Sequence, residues 1–170
     1  FKYGITLDAA WKGFDFSIFM QGIGKRDLWL DGCYFWGANG QGNEWQSTGF
    51  AEHWDFFRPE GDPLGANLNS YYPRVNFSGD RNTKVQTRYL QNGAYLRLKN
   101  VQLGYTLPRV WTEKAGISSV RVYVSGDNLA TITSLSKIFD PEATGSLAGT
   151  GSGKLYPLQR VISVGVNVNF

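Results

Sequence analysis

The sequence predicts an all-β chain of antiparallel, up-and-down strands, and three observations carry that prediction. First, the chain closes in strict alternation: Ile162, Val164, Val166, Val168 and Phe170 lie on one face, and Ser163, Gly165, Asn167 and Asn169 on the other. A period of two marks a β-strand with unlike faces. Second, 15% aromatic residues and 21 glycines coexist with a mean hydropathy of −0.30. That composition suits alternating strands with Trp/Tyr girdles better than membrane-crossing helices, and no apolar run nears the roughly 20 residues such a helix needs. Third, the connections between strands alternate short and long. A sheet of this kind has two settings. In a soluble domain its apolar face turns into a core; in a membrane barrel it turns out to lipid and the polar face lines a lumen.

Five segments read as strands. Phe1–Ala10 places Tyr3, Ile5, Leu7 and Ala9 on one face. Trp11-Lys12-Gly13 makes a short turn into Phe14–Gly22, where Phe14, Phe16, Ile18 and Met20 oppose Asp15, Ser17, Phe19 and Gln21. Two strands this close form an antiparallel hairpin. Ile23–Asn92 is irregular, with the Gly-rich run Gly37–Gly42, Pro59, Pro63, Pro73 and much Trp, Tyr, Asn and Asp. A loop of that length is abnormal in a compact soluble domain and less so in a barrel with long outer loops. Ala94–Leu107 is the third strand. Pro108 stops it and opens the connection Arg109–Ser119, with one helical turn expected near Trp111–Ala115. Val120–Asn128 is the fourth strand, with Val120, Val122 and Val124 facing away from Arg121, Tyr123 and Ser125. A second long loop, Leu129–Leu158, holds the low-complexity piece Gly145–Gly153, and Gln159–Phe170 is the fifth strand.

One orientation places every connection by its length. With Phe170 on the periplasmic side, the Trp11 and Pro108 turns lie inside and both long loops outside. Five strands cannot close a lipid-facing barrel around water, because single-chain bacterial barrels have even counts from about eight upward. Their open edges are unsatisfied in lipid, so the chain is expected to be part of something larger. Phe1-Lys2-Tyr3-Gly4-Ile5 also opens inside a strand pattern, without the layout of a signal peptide, and the natural beginning is expected upstream.

The remaining chemistry reads as sparse. A net charge of +3 is spread along the chain and forms no nucleic-acid footprint. Cys33, the single cysteine, cannot form an internal disulfide and reads as filler beside aromatics. His53-Trp54-Asp55 holds the only histidine, and no nucleophile is designated to complete a catalytic pair. No enzyme activity, metal or cofactor is expected. The loop carboxylates Asp55, Glu60, Asp62, Asp140 and Glu142 offer oxygens for Ca²⁺ but lack EF-hand spacing, and Asp-Pro-Glu at 140–142 reads as turn chemistry. The run Gly37–Gly42 lacks the strand–helix context of a phosphate loop, and Asn76-Phe77-Ser78 is a glycosylation triplet of little weight in a bacterial chain. The loop aromatics Trp29, Trp36, Trp45, Trp54, Tyr71 and Tyr72 carry two readings. Flat rings with a polar handle suit substrate stacking and partner surfaces; packing of the long loop is the plainer reading, and the favoured one for any single ring.

Three stretches resemble the SusC/RagA family, TonB-linked transporters of the Bacteroidetes outer membrane. Tyr95-Leu96-Arg97-Leu98-Lys99-Asn100-Val101-Gln102-Leu103-Gly104-Tyr105-Thr106-Leu107-Pro108 resembles a signature strand of the family, and Arg121-Val122-Tyr123-Val124-Ser125-Gly126-Asp127-Asn128-Leu129 the next one. Asp140-Pro141-Glu142, Tyr156-Pro157 with Arg160, and the strand ending at Phe170 are similar to its closing segment. Trp11-Lys12-Gly13-Phe14-Asp15 and Gln21-Gly22-Ile23-Gly24-Lys25-Arg26-Asp27 are similar to the hairpin upstream.

The resemblance implies an up-and-down transmembrane β-barrel of about 22 strands, of which residues 1–170 are the C-terminal five strands with long extracellular loops. The plug and the remaining strands lie outside this chain. It implies uptake of oligosaccharides or peptides, driven through TonB, which contacts the absent N-terminal part. It also implies a SusD-like surface lipoprotein over the outer mouth. Ile162, Val164, Val166, Val168 and Phe170 resemble the signal read by the barrel-assembly machinery, with outer-membrane lipid as their final partner; Phe170 also reads as an interface anchor. Two rival readings are a secreted β-sandwich carbohydrate-binding module with its apolar faces inward and a small autonomous outer-membrane adhesin barrel.

Overall fold

Seven strands form in the computed structural model, which describes residues 1–30, 32–39, 49–76, 81–146 and 156–170. They are β1 (Lys2–Trp11), β2 (Phe14–Ile23), β3 (Asp27–Leu28), β4 (Gln91–Asn92), β5 (Tyr95–Thr106), β6 (Ser119–Thr133) and β7 (Val161–Asn169). β1, β2, β5, β6 and β7 make one antiparallel sheet in that order, and β3 pairs with β4 in a second sheet. The fold is therefore all-β and antiparallel, and the five long strands follow the chain without a crossover.

The β1–β2 hairpin closes on Trp11↔Phe14. Its two loop residues, Lys12 at φ 47° and Gly13 at φ 88°, share the left-handed backbone of a type I′ turn, whose twist matches the flanking strands. At the other end of the sheet Ile23 pairs with Tyr95, and Tyr95 with Thr133. Both long connections thus depart from one end of the strands and both short ones from the opposite end, as the alternation of lengths predicts. The short connection after β5 holds a helical turn at Arg109–Thr112 and a 3₁₀ turn at Glu113–Ala115, close to the expected Trp111–Ala115.

One boundary differs materially. β6 runs to Thr133, well past the expected Asn128. The pairing steps from Asn100↔Asp127 to Leu98↔Ala130, and Asn128 sits at φ 52°. In β6 the apolar set stays on even positions across this bulge (Val122, Val124, then Ala130, Ile132), whereas in β5 it passes from odd (Leu103, Tyr105) to even (Leu96, Leu98). The turn-forming residues Gly126-Asp127-Asn128 interrupt the alternation and hide the continuation of β6. The long irregular region also contains the short β3–β4 pair, which two residues per strand cannot announce.

The chain divides into two units: residues 1–26, 93–134 and 158–170, and residues 27–92 and 135–157. The first is the sheet. The second has the core: Leu30, Phe35, Trp36, Tyr72, Tyr89, Leu135 and Phe139 are buried together, with Leu28, Trp29, Tyr34, Phe56, Tyr71 and Ile138 packed against them.

Candidate functional site

The register gives the sheet two chemically opposite faces. Directly paired residues share a face, so Ile5–Met20, Leu7–Ile18 and Trp11–Phe14 continue through Phe14–Tyr105, Phe16–Leu103 and Ile18–Val101. The same face runs on through Leu103–Val124 and Tyr105–Val122 to Val124–Val164, Val122–Val166 and Val120–Val168. Beyond the bulge Leu96–Ile132 and Leu98–Ala130 stay on it. None of these paired positions carries a charged or amide side chain. The face is also uncovered: Leu7 is 55% exposed, Ile162 71%, Val164 76% and Val166 58%. Such an area of apolar side chains without a covering layer far exceeds what a soluble monomer presents.

The opposite face is polar and internally bonded. Arg121 on β6 grips Asp15 on β2 with two guanidinium nitrogens, Nε at 2.8 Å from Oδ2 and Nη2 on Oδ1. The pair passes over Gly104 on the intervening β5. A Cβ there would lie 2.5 Å from Asp15 Oδ2 and 2.6 Å from Arg121 Nε, so only glycine admits the contact. The Arg121 guanidinium also stands 5.0 Å from the Tyr123 ring centroid. Further along, Arg97 Nε donates to Thr131 Oγ1 at 2.8 Å and Asn100 Nδ2 to Asp127 Oδ1 at 2.7 Å. Residues 15 and 121 are too distant in sequence for a local pattern to pair them. The signal that was available is the Gly at 104 inside an otherwise regular strand, which marks a close approach.

The second unit places the loop aromatics individually. Trp36 is 1% and Tyr72 2% exposed, so neither ring presents a partner-facing surface. Both belong to the aromatic core, where Phe35 meets Trp36 edge-on at 5.0 Å and Tyr89 meets Trp36 at 4.8 Å. Burial corrects their assignment as contact residues, because area already removed from water is not free to bind at a surface. Trp29 and Tyr71 are partly buried against this core. Trp54 is 61% exposed and stays open to a partner. Trp45 lies outside the described residues, as do Gly40–Gly42, Phe77-Ser78, residues 147–153 and the Cys33 side chain.

Polar contacts lock the segment around Trp54. Asp55 accepts from Asn67 Nδ2 at 2.9 Å and from the Tyr71 backbone N–H at 3.0 Å. Arg58, buried, donates to the Gly65 and Trp54 carbonyls at 2.8 and 3.0 Å and lies 4.8 Å from the Phe56 ring centroid. His53 accepts the Phe50 backbone N–H on Nδ1 at 2.9 Å, which leaves Nε2–H to donate to the Phe35 carbonyl at 3.0 Å. Both ring nitrogens are therefore committed to the backbone. Burial raises the Tyr72 phenol well above its ordinary pKa, helped by the carboxylates of Glu52 and Asp55. Tyr71 moves the same way, again chiefly through burial.

Two of the carboxylates weighed for Ca²⁺ make turns. Asp62 Oδ1 accepts the Leu64 N–H and Asp140 Oδ1 the Glu142 N–H. Among the described residues no three His, Cys, Asp or Glu side chains group closely enough to hold a metal ion.

No protein-family model matches the chain. It is 31% identical over 180 residues to TonB-dependent receptor P3 of Formosa agariphila, across 100% of this chain and 16% of the relative. It is 29% identical over 178 residues to TonB-dependent receptor P26 of the same organism, across 99% of this chain and 17% of that one. Among solved structures it is similar to the RagAB peptide transporter, with a TM-score of 0.71 and 27% identity over 98% of this chain and 17% of the other. The RagAB peptide importer in its 'closed-closed' state gives a TM-score of 0.72 at 27% identity, over 99% of this chain and 17% of the other. The chain thus spans about a sixth of the length of the curated relatives it matches.

Proposed function

This chain belongs to the TonB-dependent receptors of the bacterial outer membrane, and from that premise we propose that residues 1–170 are the C-terminal wall segment of a barrel of about 22 strands. The whole protein imports nutrients, oligosaccharides or peptides, under TonB drive and with a SusD-like lipoprotein over its outer mouth. It performs no covalent chemistry. The five strands supply wall, the two long connections supply the extracellular mouth, and a plug and the remaining strands complete the pore. The barrel-assembly machinery receives the Ile162–Phe170 strand.

A single observation carries this reading: one sheet face is apolar and uncovered over every strand while its reverse is polar and hydrogen-bonded. Lipid on one side and a wet lumen on the other is the environment that suits both. The sandwich alternative needs Ile162 through Val168 buried against a second sheet, and Ile162, Val164, Val166 and Val168 are all exposed. The small-barrel alternative needs β1 to pair with β7, and among the described residues β1 pairs with β2 alone and β7 with β6 alone.

Cysteine labelling in the assembled, membrane-embedded transporter, with Cys33 replaced, tests the proposal. A water-soluble maleimide is expected to modify Gln102→Cys and spare Leu103→Cys, adjacent residues on opposite faces of β5. Equal modification of the two would remove the barrel-wall reading.

A further inference from the structure

The apolar face of the sheet has a notch that the wall function leaves unexplained. Ile18, Val101 and Ile162 share one row of paired residues, and to that row β6 contributes only Gly126. The missing side chain leaves an open groove of about 220 Å³, walled by Val101, Leu103, Val124, Leu129 and Ile162. Its volume exceeds the roughly 150 Å³ of an apolar protein cavity that holds a benzene ring. We propose that this groove takes an acyl chain of lipid A, the phosphorylated glycolipid of the outer leaflet, and that Arg160 at its outer mouth receives the headgroup phosphate. The inference rests on the barrel-wall reading and adds a lipid site to it.

The bulge builds the groove. Between the pairs Asn100↔Asp127 and Leu98↔Ala130, Asn128 and Leu129 stand opposite the single residue Lys99. Asn128 turns at φ 52°, and Leu129 comes back over Gly126, where a Cβ would stand 2.7 Å from Leu129 Cδ2. A polar guest finds little to bond there. Ser125 is the one polar residue of the lining, and its pairing with Ser163 places its side chain on the opposite face. Hydrogen-bonding groups brought into such a groove lose water without gaining partners. Hydrocarbon loses nothing, and a concave wall gives it more dispersion contacts than the flat face around it.

Strand length gives the groove its depth and so names the lipid. β7 has 9 residues, Val161–Asn169, which is the length of one bilayer-crossing strand. Its Val161 end follows the second long connection and therefore lies at the outer boundary of the hydrocarbon. Ile162, paired with Gly126, sits just below that boundary. Arg160 sits just above it, exposed, two residues or about 7 Å along the chain from Ile162. Asn128 Nδ2 donates to the Gln159 carbonyl at 3.0 Å, which ties the approach to β7 against the bulge and keeps Arg160 near the groove. A guanidinium at headgroup level matches a phosphate in charge and in fork geometry. A phosphate outside and a chain running inward along the groove describe an outer-leaflet lipid; a phospholipid of the inner leaflet has its headgroup at the Phe170 end.

Native mass spectrometry of the complete transporter, delipidated in detergent and titrated with diphosphoryl lipid A or with phosphatidylglycerol, tests the site. The wild type is expected to retain lipid A in preference to phosphatidylglycerol. Arg160→Gln should weaken lipid A about tenfold, the worth of one charge-assisted contact. Gly126→Leu should abolish the preference by filling the groove; its backbone lies outside the left-handed region, and the atoms a Cβ meets belong to the flexible end of Leu129. Ala9→Leu, which adds bulk on the same face of β1 opposite Phe16, should bind like wild type. If Gly126→Leu does not assemble, Val124→Phe fills the groove from the neighbouring position and is read in its place. Equal retention of the two lipids, a filled groove that binds like Ala9→Leu, an Arg160→Gln transporter that binds like wild type, or no lipid retained at all would each overturn the inference. The labelling contrast between positions 102 and 103 reads the barrel wall separately, so the groove can fail while the wall stands.

Discussion

The two faces of β7 differ by the solvent they meet, and a single arginine measures that difference. Val164 is 76% exposed and pairs with Val124 on the apolar face; Ser163, its neighbour, pairs with Ser125 on the polar face. The two residues lie at nearly the same height, near the middle of Val161–Asn169. An arginine on the lipid face of a barrel costs about 2–4 kcal/mol at the bilayer midplane. At 1.36 kcal/mol per decade that is about a 30- to 900-fold shift in the folding equilibrium. Val164→Arg should therefore lower the folded fraction of the transporter in lipid bilayers by that order, read as the midpoint of a urea titration. Ser163→Arg points its side chain at the lumen and should fold close to wild type. Asn167→Arg is a poorer control, because position 167 pairs with Arg121 and like charges directly opposite each other repel. Equal loss at 163 and 164 would refute the assignment of faces, and so would equal tolerance.

Three further outcomes follow from the same contacts. Gly104→Ala should displace Arg121 from Asp15 and lower the urea midpoint, whereas Ser17→Ala on the same strand system should not; matched midpoints would mean the pair does not depend on the gap. Trp36→Ala empties the centre of the aromatic core and should cost about 3–5 kcal/mol, read as loss of hydrogen-exchange protection across residues 27–92, while Trp54→Ala should leave that protection intact. The Tyr72 phenol, raised by burial, keeps its proton in the folded unit at a pH where the unfolded chain, near pH 10, has lost it. Stability of the second unit is thus fully present below about pH 10 and falls as the pH rises beyond it. Tyr72→Phe should remove most of that alkaline slope in a fluorescence-monitored titration, at little cost near neutrality because the hydroxyl has no partner.

Strand positions and faces were legible in the sequence because side-chain alternation is local. Tyr3 to Ala9, Phe14 to Met20 and Ile162 to Val168 each state their facing within one segment. The order of the sheet followed from connection length. The family was legible as well, through the run Tyr95–Pro108. The candidate site was legible only as a composition, a loop rich in rings and turn residues. Which ring is core and which is surface was not, since Trp36 and Trp54 look alike in sequence and differ from 1% to 61% in exposure.

The amino-acid order by itself determined an antiparallel wall with one greasy and one wet side, because a two-residue period constrains neighbours along the chain. Only the tertiary structure decided what depends on residues far apart: the Asp15–Arg121 grip across Gly104, the bulge that keeps Leu96 and Leu98 on the apolar face, and the convergence of residues 101, 129 and 162 on one groove. Those contacts arise from register and chain closure, which sum small energies over many remote pairs, and no local window of sequence contains that sum.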